Sequence, residues 1–177
     1  MAASWRQCYT RPSSGRCARM KTSFRMDREK AKELLAQVDS AISSAANPRD
    51  ARQKIVKVLN AIPTYNWVGV YLVKGSDLRL DAWAGPAATI HTTIPVGKGV
   101  CGFAAKSGRT EIVSDVSKDP RYLECFANTK SEIVVPILLS GKVVGEIDID
   151  SDELNAHSSL DREFLEAVAS KLSRYSA

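Results

Sequence analysis

Two apolar segments joined by Ser140-Gly141 constrain the fold of this chain more than any other feature. Residues 132–139 and 142–150 are rich in Ile and Val, with a Ser-Gly dipeptide between them. β-Branched runs separated by so short a turn signal are typical of an antiparallel β-hairpin. The hairpin therefore predicts a sheet that is at least partly antiparallel.

The second hairpin segment alternates acidic and apolar residues, so that its carboxylates share one face of the strand. Another acid, Glu132, begins the partner segment. Clustered carboxylates are costly unless they are solvated or matched by a cation. They therefore indicate either a solvated outer face or a site that holds an ammonium group, acts as a general acid or binds a metal. The alternating acids are Glu146, Asp148 and Asp150.

The rest of the chain predicts helices at both ends and strands between them. Because the strand connections are short, the sheet should be mostly antiparallel, and the fold class α+β. The length of 177 residues suits one domain, which we place at residues 27–177. Helices are predicted over 27–45, 49–62, 100–105 and from Ser158, and further strands over 67–73, 78–83, 90–94 and 112–113.

The formal net charge of +5 comes from the first 26 residues, which hold six basic residues and no acid. The remainder holds 19 basic and 20 acidic residues, so we expect no nucleic-acid partner. No apolar run reaches the roughly 20 residues of a membrane span. We interpret residues 1–26 as a disordered extension or a start assigned upstream of the true Met. An Arg- and Ser-rich, acid-free segment also suits a mitochondrial transit peptide, although a cytoplasmic location is expected.

Two of the four cysteines, Cys101 and Cys125, lie in the predicted domain. Because the cysteines lack C-x-x-C spacing, a structural zinc site is not expected. We expect the protein to work in a reducing compartment. Cys101 is either a small buried hydrophobe or a thiol whose anion is favoured by the first turn of a helix. Cys125, in the loop over 114–128, should be more exposed. Two thiols that can meet would permit sulfenic acid formation followed by a disulfide.

Trp67 and Tyr71 share one face of the strand predicted over 67–73. They are either ordinary core aromatics or one wall of a pocket for a small molecule.

These pieces together resemble the free methionine-(R)-sulfoxide reductases built on a GAF domain. The resemblance extends over about 27–177 and is most specific between 66 and 151. Its matching pieces are Asn66–Leu72, Ile94–Gly102, Cys125, Ser131–Pro136 and Asp148–Ser151.

The resemblance implies a GAF-like fold: a central antiparallel sheet with the N- and C-terminal helices on one face and a loop-covered ligand pocket on the other. It also implies reduction of free L-methionine (R)-S-oxide with thioredoxin as reductant, and no cofactor or metal is expected. By analogy with GAF proteins, a homodimer is expected.

In that family, the cysteine matching Cys125 is the nucleophile and becomes a sulfenic acid, which a second cysteine converts to a disulfide. The acids matching Glu132, Asp148 and Asp150 hold the substrate's amino group, and the aromatics matching Trp67 and Tyr71 line the pocket. These residues are our predicted site.

One position departs from the family pattern. Many members have a further cysteine, often the resolving thiol, where this chain has His91. Cys101 is then the resolving candidate. An apolar residue is also common at the position of Glu146. The alternative functions are a GAF module that binds an amino-acid-like ligand without catalysis, and a thiol redox sensor that forms a disulfide without substrate.

Overall fold

The computed structural model describes residues 24–176. The predicted extension, residues 1–26, lies outside this range except for its last three residues. Of these, Phe24 and Met26 pack against the hydrophobic core of the domain.

Six strands form one sheet in the order β3-β2-β1-β6-β5-β4, and every neighbouring pair is antiparallel. The predicted antiparallel sheet is therefore confirmed, as is the hairpin around Ser140-Gly141, which joins β5 to β6. The strands are β1 (Trp67–Lys74), β2 (Asp77–Ala84), β3 (Thr93–Pro95), β4 (Glu111–Val113), β5 (Ser131–Leu139) and β6 (Lys142–Ser151).

The edge strand β3 begins later than predicted. The strand was expected over 90–94, but residues 90–92 are not part of it. The carbonyl of His91 accepts a hydrogen bond from the Tyr71 hydroxyl (2.9 Å), and Ile90 is 80% exposed. The paired residues of this edge strand are therefore only Thr93, Ile94 and Pro95.

Four α-helices surround the sheet, and their starts follow sequence signals. Asp27 caps the first by accepting a hydrogen bond from the Lys30 backbone (2.8 Å), and Ser158 with Asp161 forms the predicted capping box of the last. The helices are α1 (Arg28–Ser43), α2 (Pro48–Asn60), α3 (Gly99–Ser107) and α4 (Ser159–Leu172).

The two faces of the sheet carry different cores. On one face, Val68 and Val70 of β1 and Ile147 and Ile149 of β6 pack with α1, α2 and α4. On the other face, Trp67 and Tyr71 pack with α3. Since side chains alternate along a strand, residues of β5 and β6 that face away from the helical core must point toward α3. Within residues 24–176, no helix is both long and apolar enough to cross a membrane.

Candidate functional site

The hairpin β5–β6 brings four carboxylates to the α3 face of the sheet. Glu132 pairs across the strands with Asp150, and Val134 pairs with Asp148. Glu146 lies opposite Tyr71 of β1. Adjacent positions on one face of paired strands lie within side-chain reach of each other. We call these four residues the acidic cluster: Glu132, Glu146, Asp148 and Asp150.

Every member of the acidic cluster is buried, with at most 5% of its surface exposed. The interpretation as a solvated outer face is therefore wrong. None of the ion pairs within residues 24–176 involves these groups. Neither carboxylate oxygen of Glu146 has a hydrogen-bond partner. In each of the other three residues of the cluster, one carboxylate oxygen also lacks a hydrogen-bond partner. Buried charge without a partner is costly, so this site needs protons or an external cation.

Burial raises the pKa of each carboxyl group in the acidic cluster, and for Asp148 it does so to about 7. Repulsion from Asp148 raises the pKa of the other three further. Like charges at close range favour shared protons over full ionisation. At neutral pH the cluster therefore retains protons that a bound cation could displace or that a reaction could use.

Helix α3 places Cys101 directly over this cluster. The thiol donates a hydrogen bond to Oε1 of Glu132 at 3.7 Å, and it also faces Glu146 and Asp148. Burial, followed by repulsion from Asp148 and Glu146, raises the pKa of the Cys101 thiol well above its usual value. The expectation that the helix start favours the thiolate is therefore wrong, because burial and then the nearby carboxylates favour the protonated thiol.

Cys125 lies in the long connection between β4 and β5 and is only partly buried, so it is the more exposed of the two thiols, as predicted. Its Sγ donates to the carbonyl of Leu123 at 3.4 Å. Burial raises the pKa of Cys125, as does repulsion from Asp148 and Asp150, while hydrogen bonding with the Thr89 hydroxyl opposes the rise. The thiol is thus protonated at neutral pH, and its ionisation depends on the charge of the acidic cluster.

An aromatic wall stands beside Cys125. The Trp67 ring lies 5.8 Å from the Phe126 ring and stacks on Trp83 with centroids 6.5 Å apart. Gly69 makes room for it, since a Cβ at that position would lie 2.5 Å from the indole. Tyr71 is fully buried on the same face. Trp67 and Tyr71 lie beside the acidic cluster, since they pair with Asp150 and Glu146 across β1 and β6, and both also belong to the buried core on this face.

Two loops close over this site. Trp67 Nε1 donates to the carbonyl of Ala87, and the His91 ring approaches the carbonyl of Glu124, next to Cys125, at 3.1 Å. The loop that carries Cys125 is held from outside by Arg121. Its guanidinium pairs with Asp119 (2.7 Å) and Glu111 (3.0 Å) and lies 4.7 Å from the centre of the Phe103 ring on α3.

The predicted site residues thus converge on one face of the sheet. Cys101 meets Glu132 and Asp148 there, with Trp67 and Tyr71 alongside and Cys125 above. Sequence reasoning missed Trp83, Phe126, Thr89 and Arg121. Of these, Phe126 had a signal, because it follows Cys125 directly in a polar loop. The other three meet the site through tertiary contacts that no spacing reveals.

Comparison with known proteins agrees with this geometry. Residues 47–175 match the GAF domain family. The chain is 42% identical over 113 residues to the free methionine-R-sulfoxide reductase of Saccharomyces cerevisiae, covering 62% of each protein.

Two solved structures are similar over most of their length. The free methionine-R-sulfoxide reductase of Neisseria meningitidis, in complex with its substrate, is 32% identical with a TM-score of 0.79, covering 86% of this chain and 92% of that one. The type II free methionine-R-sulfoxide reductase of Thermoplasma acidophilum is 37% identical with a TM-score of 0.70, covering 72% of this chain and 91% of that one. With its GAF fold, its buried carboxylates and its two thiols on one face of the sheet, this chain belongs to the GAF-domain family of free methionine-R-sulfoxide reductases.

Proposed function

We propose that this protein reduces free L-methionine (R)-S-oxide to L-methionine, with Cys125 as the nucleophile. The observation that carries the proposal is the placement of a partly exposed thiol above four buried carboxylates that lack a cation within the described residues. An amino acid with a reducible side chain supplies both the missing cation and the electrophile.

The acidic cluster would bind the substrate's ammonium group. Glu132 lies directly opposite Asp150 in the strand register, and Asp148 lies two residues from Asp150 on the same face of β6, so these three groups form the centre of the proposed cradle. A charged ammonium offers three donors to carboxylate oxygens. A methionine residue inside a protein has an uncharged amide nitrogen instead, so the same site would select the free amino acid.

The aromatic wall would hold the other end of the substrate. The Trp67 ring lies 5.8 Å from the ring of Phe126, the residue that follows Cys125 in the chain, and sulfur groups make favourable contacts with aromatic rings. With the ammonium fixed on the acidic cluster and the methyl group against Trp67, the sulfoxide sulfur would face Cys125. Fixing both ends also favours one epimer at a chiral sulfur.

The reaction balances with these groups alone. The sulfur of Cys125 attacks the sulfoxide sulfur while a proton is delivered to the sulfoxide oxygen. The S–O bond then breaks as the hydroxyl group passes to the Cys125 sulfur. The S–S bond formed in the attack breaks with its electron pair returning to the substrate sulfur, which leaves methionine and a sulfenic acid. The proton would come from a carboxyl of the acidic cluster, where the raised pKa of Asp148, about 7, suits a general acid near neutral pH. The proton of the Cys125 thiol then replaces the proton that this carboxyl group has donated.

Substrate binding would also activate the nucleophile. In the free protein, repulsion from Asp148 and Asp150 is one reason why the pKa of Cys125 is raised. An ammonium group bound between those carboxylates would cancel that repulsion and favour the thiolate. The reactive anion would then form mainly when substrate is present.

For recycling, we propose that Cys101 condenses with the Cys125 sulfenic acid, releasing water and forming a disulfide that thioredoxin reduces. Support comes from the free state of both thiols and from the proximity of Cys125, which contributes to the raised pKa of the Cys101 thiol. His91, at the position of the family's further cysteine, contacts the Glu124 carbonyl by a ring nitrogen and has no thiol to offer. Cys101 is therefore the resolving candidate within residues 24–176.

The reducing chemistry of this cycle suits the cytoplasm, which we propose as the compartment. A homodimer remains a prediction from the family resemblance.

The test is turnover of purified protein with the (R) and (S) epimers of free methionine sulfoxide and with a sulfoxide-containing peptide. We expect methionine from the free (R) epimer alone, and loss of turnover in Cys125→Ser. Binding of the (R) epimer without turnover would instead identify a ligand-binding GAF module.

A further inference from the structure

The acidic cluster and the Cys101 thiol form a donor set that an ammonium group does not fully use. Ligand atoms of Cys101, Glu132 and Asp148 all lie within 4.8 Å of one another. Glu146 is not one of these three residues, but its carboxyl group interacts with the Cys101 thiol. It is fully buried, and neither of its oxygens has a hydrogen-bond partner.

We propose that the Cys101 thiol and the three carboxylates nearest to it bind one Zn²⁺ ion, and that this ion inhibits the enzyme. The proposed ligands are Cys101, Glu132, Glu146 and Asp148. This site goes beyond the proposed function, and only its inhibitory effect depends on that function.

The spacing suits tetrahedral zinc. With Zn–S near 2.3 Å and Zn–O near 2.0 Å, a tetrahedral site has sulfur–oxygen edges of about 3.5 Å. The Cys101 Sγ to Glu132 Oε1 distance is 3.7 Å. The wider limit of 4.8 Å for the three-residue set requires a closure of only about 1 Å, which small side-chain rotations provide.

The donor types favour zinc over harder cations. A thiolate selects Zn²⁺ over Mg²⁺ and Ca²⁺, which take oxygen ligands. Four protein ligands would leave the ion closed in on all sides, as in structural zinc sites. The bound ion would replace the protons that the carboxyl groups and the Cys101 thiol otherwise hold.

Glu146 distinguishes this proposal from simple amino-group binding. It lies opposite Tyr71 and Pro136, two residues before Asp148 on the same face of β6. The ammonium cradle proposed above centres on Glu132, Asp148 and Asp150. A zinc ion would use Glu146 and Cys101 as well, so it would exclude the substrate and also occupy the proposed resolving thiol.

Cadmium titration of the full chain tests binding without any turnover. In a variant with Cys8, Cys17 and Cys125 changed to Ser, Cys101 is the sole thiol. We expect ultraviolet absorption from a Cd²⁺–thiolate bond that saturates at one ion per chain and is displaced by Zn²⁺. In that background, Glu146→Gln should weaken affinity for the metal at least tenfold, as loss of a ligand does.

Glu33→Gln is the matched control, because Glu33 is an exposed carboxylate on α1. It should leave the affinity unchanged. Absence of the Cd²⁺–thiolate band, or a Glu146→Gln affinity equal to that of the Glu33→Gln control, would overturn the proposed site.

Inhibition is measured separately, in a single turnover without added thiol so that zinc remains free. Zn²⁺ should raise the concentration of sulfoxide needed for half-maximal rate, and Glu146→Gln should relieve this effect. Inhibition that Glu146→Gln leaves intact would overturn the inhibitory role. If the wild-type protein shows no turnover, that result counts against the proposed function. The cadmium titration would still test the metal site, because it measures binding alone.

Discussion

The Cys101 thiol donates to the Glu132 carboxyl at 3.7 Å, beneath the loop that carries Cys125. This contact places the proposed resolving thiol and the proposed amino-group site in the same buried space. Both the chemistry and the stability of the domain therefore depend on the charge of one small region.

Cys101→Ser should separate the two halves of the catalytic cycle. Of the two thiols, only Cys125 takes part in the first step, so one equivalent of methionine should form at a rate close to that of the wild type. Turnover with thioredoxin should fall at least tenfold, because the sulfenic acid then has no resolving thiol within residues 24–176, whereas dithiothreitol should still support it. Methionine release by quenched flow and steady-state rates with each reductant check this. Cys8→Ser serves as the control, and full thioredoxin-supported turnover by Cys101→Ser would remove Cys101 from the cycle.

Asp148→Asn should stabilise the free protein while it weakens substrate binding. The folded-state pKa of Asp148, about 7, lies above its ordinary value of 3.8. The folded state thus holds the proton more tightly, so stability is greatest below pH 4 and falls as the pH rises toward 7. The cost at neutral pH is at most about 4 kcal/mol. Urea unfolding from pH 4 to 8 should show a flatter profile in the variant.

For the same variant, the substrate concentration at half-maximal rate should rise at least tenfold, since a carboxylate that faces the ammonium is lost. Unchanged stability and unchanged kinetics together would return Asp148 to a purely structural role.

Arg121→Gln should loosen the loop that carries Cys125. It removes the ion pairs with Asp119 and Glu111 and the contact with Phe103. Because these pairs are only partly buried, we expect a loss of about 1 kcal/mol, or roughly fivefold in kcat/KM. Alkylation of Cys125 in the free protein should become faster. Arg162→Gln, which breaks an exposed pair on α4, is the matched control, and equal alkylation rates in the two variants would exclude Arg121 from positioning the loop.

His157 should make the domain sensitive to acid. It is buried against Tyr65, with ring centroids 5.7 Å apart, and neither ring nitrogen has a hydrogen-bond partner. Burial lowers the pKa of His157 from 6.5 to about 4. The unfolded chain therefore takes up the proton first as the pH falls from 6.5 to 4, which costs up to about 3 kcal/mol of stability. His157→Phe should remove this loss in urea unfolding, and an identical pH profile in the variant would contradict it.

Much of the fold was predictable because local signals agreed with tertiary packing. The alternation of Glu146, Asp148 and Asp150 with isoleucines correctly predicted a strand with two unlike faces. The capping box at Ser158 correctly located the start of α4. Edge strand β3 was misplaced because a side-chain hydrogen bond from Tyr71 diverts the His91 carbonyl, and no local pattern encodes that contact.

The sequence predicted which residues would come together on one face of the sheet, but it did not predict the electrostatics of that group. Family resemblance supplied the roles of Cys125 and the acids, and the spacing put three carboxylates on one face. The sequence did not indicate that α3 lowers Cys101 onto those carboxylates, which raises its pKa instead of lowering it. Arg121 was missed because Phe103 and Glu111 approach it only after the chain folds.

The most direct measurement is stereospecific turnover of free methionine sulfoxide by the wild type and by Cys125→Ser, followed as methionine formed. The proposed mechanism predicts methionine from the (R) epimer only, and at least a thousandfold loss in Cys125→Ser, as expected when an enzyme's nucleophile is removed. Normal turnover of the (R) epimer by Cys125→Ser would contradict it.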